Sequence, residues 1–516
     1  MKPGSVLFEF ARWAVGLKLE AVPADVREHA KNQVLSIVAA VYSGYASGLG
    51  HRIEAAFAPA GLPSDPAAAA FALSAWSMVL DFDDVMLGGH TGHSSVLVPL
   101  AFARAGQYTG ADVLVAQIAA NEVAARLNMS VALGPARGQM AAHLHLASAT
   151  VARGRLEGLD AETLAHALAL ALSYPPKALY PAFLGSDAKV LCASWPVRMG
   201  LDAVDAARCG LRGNIELLEG RHGLLRTLTE TPVRNFFGGL GERWHTVTNS
   251  YKVHPGSGYG SAAIQAALSL VRCHNIQPES VQSIDIWGSL FTTGMEAHVA
   301  PFLGTSAPVA ALTFSAAYAV ACAVRYRECG PEQFEQFRVD DPQLRELLTR
   351  IRVRHDPNLT VKALLAEIPV GAALRAAGRR ATLRFLLNAA GKLPQQRSVK
   401  HLLQRLRVVL SVTLAAHPRP LNFSAAEKCI GARVVVTTTD GCRQEETVLI
   451  PAGFAGSGGW DMSRLLMRQK FFRYAPPITG RERALHIAEL IESLETVDAC
   501  GLSTILELNA ARNAVY

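Results

Sequence analysis

Cysteine is scarce and unpatterned in this 516-residue chain: eight residues, at 192, 209, 273, 322, 329, 429, 442 and 500, with no Cys-x-x-Cys pair. A secreted disulfide framework or a zinc ribbon needs closer, repeated spacings, so neither fits. No run of about 18 apolar residues free of charge occurs, so no membrane-spanning helix is expected. The first twenty residues contain Glu9, Arg12 and Lys18 and lack the unbroken apolar core of a signal peptide, so a cytoplasmic setting is expected. Charge is sparse as well, at 18%, while 50% of residues are hydrophobic. That balance excludes a disordered or fibrous chain and fits a helix-rich globular enzyme better than a protein that coats nucleic acid. The length provides for two or three domains and a large buried core.

The formal net charge of +7 is unevenly placed. Residues 361–430 hold twelve Lys and Arg against two acids, Glu367 and Glu427, which leaves the rest of the chain at −3. The block has no Trp or Tyr and only Phe385 and Phe423 as aromatics, a poor composition for stacking on nucleic acid. It reads as an elaboration of the fold or of a dimer contact, with an acidic carrier protein as a second possible occupant. Its segment SVKHLLQRLRVVLSVTL (398–414) places Val399, Leu402, Leu403, Leu406 and Leu410 on one stripe and Lys400, Gln404 and Arg407 on another. Two or three short amphipathic helices are expected there.

Elsewhere the pattern changes twice. From residue 1 to 268 it is helical and rich in Ala and Leu, as in DAETLAHALALALS (160–173) behind its Asp160 cap. Residues 269–455 add strands: VQSIDIW (281–287), RIRVR (350–354), and RVVVTTT (433–439) with RQEETVLI (443–450) flanking the turn Asp440-Gly441. Helix returns over 456–516. The expected fold is mostly α, with an α+β domain inserted between helical parts.

Four stretches carry residues suited to chemistry. The densest is Asp81-Phe82-Asp83-Asp84 followed by Gly89-His90-Thr91-Gly92-His93-Ser94-Ser95, at the junction of two apolar helices. Histidine moves protons near neutral pH and a carboxylate fixes its tautomer, so this is a candidate acid–base site. A metal site using His90, His93 and the acids as ligands, or plain helix caps and loop hydrogen bonds, are the alternatives. In the second, YKVHPGSGYG (251–260), Lys252 precedes a glycine-rich helix start with His254 and Ser257 close by, a natural place for an anion. The third is GPARGQ (134–139), followed by His143 and His145, where Arg137 is suited to clamping a carboxylate. In the fourth, FSAAY (314–318), Tyr318 is either a proton donor or a core tyrosine.

Taken in order, LDFDD (80–84), GHTGHSSVLVPLA (89–101), NEVAARL (121–127), GLDAETLAHAL (158–168), YKVHPGSGYG (251–260), FSAAYAVA (314–321), RVVVTTTDG (433–441) and PAG (451–453) resemble the MmgE/PrpD family. That family includes 2-methylcitrate dehydratases and cis-aconitate decarboxylases. The resemblance leaves out 361–430 and the extreme C-terminus. It implies a large helical domain made from both chain ends, a smaller α+β lid between them, and a homodimer needing no metal or organic cofactor. It implies lyase chemistry on a small carboxylate-bearing substrate, by loss of water or of carbon dioxide; of the two, dehydration is the favoured reading. By this resemblance Asp81, Lys252, Tyr318 and His93 (or, less favoured, His90) are catalytic; Arg137, Gln139, His143, His254 and Ser257 are the candidate substrate-binding residues.

The departures from the family pattern concern specificity. Val85 stands where members often have Thr, and Gln139 falls at a second active-site His position, with His143 one helical turn on. The lysine of the family's TKPLH segment has no aligned counterpart: Lys189 lies displaced, and Trp195 falls nearer the aligned place. An isomerase, epimerase or cyclisation catalyst using the same proton chemistry is the alternative enzyme. A catalytically impaired binding or scaffold protein is the alternative outside enzymes.

Overall fold

The computed structural model describes residues 4–134, 142–177, 179–304, 306–391, 399–417 and 422–508. The fold is mostly helical and divides into two compact units. The first comprises Met1–Phe183, Asp187–Val253 and Trp460–Tyr516, and the second Leu184–Ser186 and His254–Gly459. The helical unit is therefore made from both ends of the chain, with the α+β unit inserted between them. No helix among the described residues is long and apolar enough to cross a membrane.

The first unit forms around helix Ala24–Tyr45, in which every residue from Ala30 to Tyr45 is buried. Its neighbour, Pro66–Met78, starts with the Asp65 carboxylate accepting the Ala68 N–H and with Pro66 at a position where no backbone donor is needed. The two helices touch because residue 44 is glycine: a Cβ there would lie 1.9 Å from the Trp76 carbonyl oxygen. Helix Gly110–Ser130 opens on a reciprocal cap between Thr109 and Asp112, and Ala161–Ala171 on the Asp160 cap read from the sequence. The C-terminal segment returns as Gly459–Tyr474, Arg481–Glu492 and Ala499–Ile505. Arg481–Glu492 packs on Ala24–Tyr45, and Ala499–Ile505 packs on Leu97–Ala105.

The second unit contains a four-stranded sheet in the order Ile351–His355, Val281–Gly288, Ala432–Thr438, Arg443–Val448. The first pair is parallel and the other two are antiparallel. The last two strands form the hairpin expected at Asp440-Gly441, with Gly441 at φ +84. Helix Ser261–Cys273, which composition groups with the first helical region, packs on the two hairpin strands. The apolar stretch 306–327 contains two helices, Val309–Phe314 and Ala316–Tyr326. Ser315 separates them, its hydroxyl accepting the Tyr318 N–H. The basic block carries Ala372–Gly391, kinked where Gly378 takes φ +81, and Val399–Ala415.

Candidate active site

Helix Pro66–Met78 runs directly into the acidic turn, where Asp81 takes a left-handed conformation at φ +50. Asp84-Val85 then pairs antiparallel with Ser250-Tyr251, and the Lys252 N–H donates to the Asp83 carbonyl at 3.3 Å. This short ladder brings Lys252 beside the acids although about 170 residues separate them. Its ammonium donates to Asp81 Oδ2 at 2.6 Å, to the Asp81 carbonyl at 2.8 Å and to Asp83 Oδ1 at 2.8 Å.

Lys189 completes the Asp81 site. Its Nζ is 3.0 Å from Asp81 Oδ1 and donates to the Met78 carbonyl at 2.9 Å. Of the two residues near the family's TKPLH lysine, Trp195 is 55% exposed, while Lys189 is buried on the carboxylate. Each Asp81 oxygen faces one lysine. Burial pushes the Asp81 carboxyl upward, but Lys189 and Lys252 outweigh it and hold the group well below the usual carboxylate range. Asp83 is likewise held low: burial opposes ionisation, and Lys252, His90 and His93 overcome it. Lys252 is raised in turn, because the two carboxylates offset its own desolvation.

The two histidines differ in access. His90 Nδ1 lies 2.5 Å from Asp83 Oδ2, and its side chain is 36% exposed. His93 Nε2 lies 3.1 Å from the same oxygen and its Nδ1 is 2.8 Å from Ser77 Oγ; the side chain is 1% exposed. Behind them, His145 packs edge-on against His93 and shares a hydrogen bond with Ser94 at 3.1 Å. His143 is buried, its Nε2 has no partner among the described residues, and burial lowers its pKa to about 4.

Lys470 approaches from the C-terminal helix Gly459–Tyr474. It donates to the Phe82 carbonyl at 2.5 Å and to Ser36 Oγ at 3.1 Å, with its ammonium 3.9 Å from the centre of the Phe82 ring. Asp84 faces the other way, its Oδ2 accepting from Gln33 Nε2 at 2.7 Å. Gln33 Oε1 is in turn held by Asn121 and Gln117. Burial and the neighbouring Asp83 charge push Asp84 up to about 6.

Of the residues read from the sequence, the first unit thus brings together Asp81, His90, His93 and Lys252. Tyr318, His254 and Ser257 belong to the second unit. There the Tyr318 hydroxyl donates to the Gln333 carbonyl, His254 Nδ1 lies 3.0 Å from the Cys329 carbonyl, and Ser257 Oγ accepts the Tyr259 N–H. Arg137 and Gln139 lie outside the described residues. Ser77 and Lys470 have no local signal in the sequence, whereas Asp83 lies inside the acidic run.

Asp83, His90 and His93 bring three ligand atoms within 4.8 Å of one another, the arrangement a divalent cation would need. The shared carboxylate already carries the Lys252 ammonium at 2.8 Å. A second cation on the other oxygen would meet that charge in a buried setting, so the donor set suits proton transfer better than metal ligation.

The cluster gathers ionisable side chains from distant parts of one helical unit. The chain belongs to the MmgE/PrpD family: the family's N-terminal domain matches residues 8–236 and its C-terminal domain residues 254–383. Two cis-aconitate decarboxylases of Aspergillus terreus are similar. One is 24% identical over 385 residues, covering 68% of this chain and 78% of the relative. The other is 24% identical over 389 residues, covering 67% and 77%. Membership places the chain among lyases, as a dehydratase or decarboxylase.

Proposed function

We propose that the chain acts on a small carboxylate-bearing acid by transferring a proton at carbon next to a carboxylate, without a metal or organic cofactor. One observation carries this reading: a half-exposed imidazole, His90, is bound through Nδ1 by a buried carboxylate that Lys252 anchors. With the proton on Nδ1, Nε2 keeps a lone pair for a substrate proton, and Asp83 stabilises the imidazolium that forms. Lys189 and Lys252 keep Asp81 and Asp83 ionised. Arg137, Gln139, His143, His254 and Ser257 are proposed as substrate-binding residues, and Tyr318 as a second proton donor. The reading includes a homodimer in the cytoplasm.

In dehydration, the C–H proton passes to His90, a carbon–carbon double bond forms as the carbon–oxygen bond breaks, and the departing hydroxyl takes the proton from the His90 imidazolium to leave as water, which restores the neutral imidazole. In decarboxylation, a carbon–carbon bond breaks, carbon dioxide leaves, and the electron pair left on carbon takes a proton from His90, which must start as imidazolium and is reprotonated from solvent. The relatives favour the second reaction. Incubation in deuterated water with hydroxylated di- and tricarboxylic acids and with cis-aconitate, followed by mass spectrometry and carbon dioxide detection, separates the two. Turnover and deuterium incorporation that both survive His90→Gln and Lys252→Met would remove this cluster from the reaction.

A further inference from the structure

The family match ends at residue 383, and the helical hairpin that carries the basic block continues past it. Helix Ala372–Gly391 and helix Val399–Ala415 pack against one another. Arg379 donates to the Leu414 carbonyl at 3.3 Å and contacts the His417 ring, which fixes an antiparallel register. That direction runs Leu383 and Leu387 along the stretch that holds Leu406, Leu410 and Leu414 on the other helix.

All four of these leucines, and Leu414, are between 38% and 62% exposed. The hairpin buries a different set, including Leu386, Val409, Val412 and Ala416. Leucines four residues apart share a helix face, so the exposed set forms an apolar stripe on each of the two packed helices. Two antiparallel helices that each carry an exposed apolar stripe are the greater part of a helical bundle and offer a seat to one more amphipathic helix. Scattered surface leucines need no explanation, but a striped set on a paired scaffold does.

The flanking charge selects the occupant. Arg380 and Arg407 are exposed on the same two helices, within a block that has twelve basic residues and two acids. A second copy of the hairpin would bring like charge against like charge. A lipid surface would ordinarily be met by Trp or Tyr, and the block has neither. We propose that this hairpin docks an acidic amphipathic helix of a partner protein, with leucine stripes covered by the partner's apolar stripe and arginines paired with its carboxylates. The proposal is independent of the lyase reading.

The test uses the full-length protein and a labelled synthetic helix of about 20 residues, with leucine at heptad core positions and glutamate elsewhere. A lysine version of the helix and phosphatidylglycerol vesicles serve as comparisons. Binding of the glutamate helix is expected in the micromolar range by fluorescence anisotropy, weakening as salt rises. Leu406→Glu and Leu410→Glu, at exposed positions, are each expected to weaken it about tenfold or more with unchanged circular dichroism and melting. Arg407→Glu is expected to weaken it less. The proposal is overturned if the glutamate helix does not bind, if the lysine helix binds equally, or if binding persists in both leucine variants. Association with vesicles alone, or leucine variants that dissociate a dimer without changing helix affinity, would overturn it equally.

Discussion

Lys252 holds Asp81 twice, through the carboxylate at 2.6 Å and through the backbone carbonyl at 2.8 Å. The residue held this way has φ +50, a conformation that costs a side-chain-bearing residue about 1–3 kcal/mol. The ion pair and the backbone conformation therefore support each other. Removing only the lysine leaves Asp81 and Asp83 buried with one counter-charge fewer. Lys252→Met is expected to destabilise the fold by about 3–5 kcal/mol and to abolish turnover. Adding Asp81→Asn removes one of the stranded charges and should restore part of that stability without restoring activity. Urea unfolding of the two single variants and the double variant measures the coupling; a strictly additive result would show that the pair is not coupled.

His90 and His93 share one carboxylate oxygen but differ in access, so their substitutions should differ in kind. His90→Gln is expected to lower kcat by about 10²–10⁴ with little change in melting temperature, because the side chain is half-exposed. His93→Gln breaks contacts with Ser77 and Asp83 in a buried setting and is expected to cost about 1–3 kcal/mol of stability with a smaller effect on kcat. Paired kinetics and thermal melts decide. The opposite pattern would make His93 the proton carrier and His90 the structural partner.

Glycines at two close approaches give a test of the scaffold. A Cβ at Gly44 would lie 1.9 Å from the Trp76 carbonyl, and one at Gly92 would lie 2.1 Å from Asp84 Oδ1. Gly44→Ala is expected to separate helices Ala24–Tyr45 and Pro66–Met78 and to cost at least about 1–3 kcal/mol. Gly92→Ala strikes a buried carboxylate instead and should disturb activity as well as stability. Urea midpoints and kcat together distinguish the two; equal loss of activity in both would place Gly44 in the same functional unit as Asp84.

What was legible in the sequence was what is local. The Asp160 cap and the Asp440-Gly441 hairpin depend on neighbours within a few residues, and both form as read. The acidic turn and the two histidines were visible as a group because residues 81–93 are contiguous. Lys189 and Lys470 were not, since their partners are 111 and 388 residues away and the amines gain their setting only on burial. The difference between His90 and His93 is likewise tertiary: their spacing from the acids does not reveal that Ser77 closes one imidazole off.

Lys470 and Asp84 give the site a pH signature. Lys470 donates to two neutral oxygens, and burial lowers its pKa from 10.5 to about 7. Between those values the unfolded chain holds a proton that the folded chain has lost, so stability rises with pH through this window. The rise is at most about 1.4 kcal/mol per pH unit. Asp84 acts in the opposite sense: burial and Asp83 raise its pKa from 3.8 to about 6, so the folded chain keeps a proton that the unfolded chain releases. Its contribution is present at low pH and is lost as pH rises through that interval. Together the two groups place their least favourable point between about pH 6 and 7. Lys470→Met lowers stability overall by leaving the Phe82 carbonyl without its donor, but the informative quantity is the slope. Urea unfolding across pH should show the rise above neutrality flattened in Lys470→Met and the fall below pH 6 flattened in Asp84→Asn. A slope above neutrality that Lys470→Met leaves unchanged would mean that this lysine stays protonated in the folded protein.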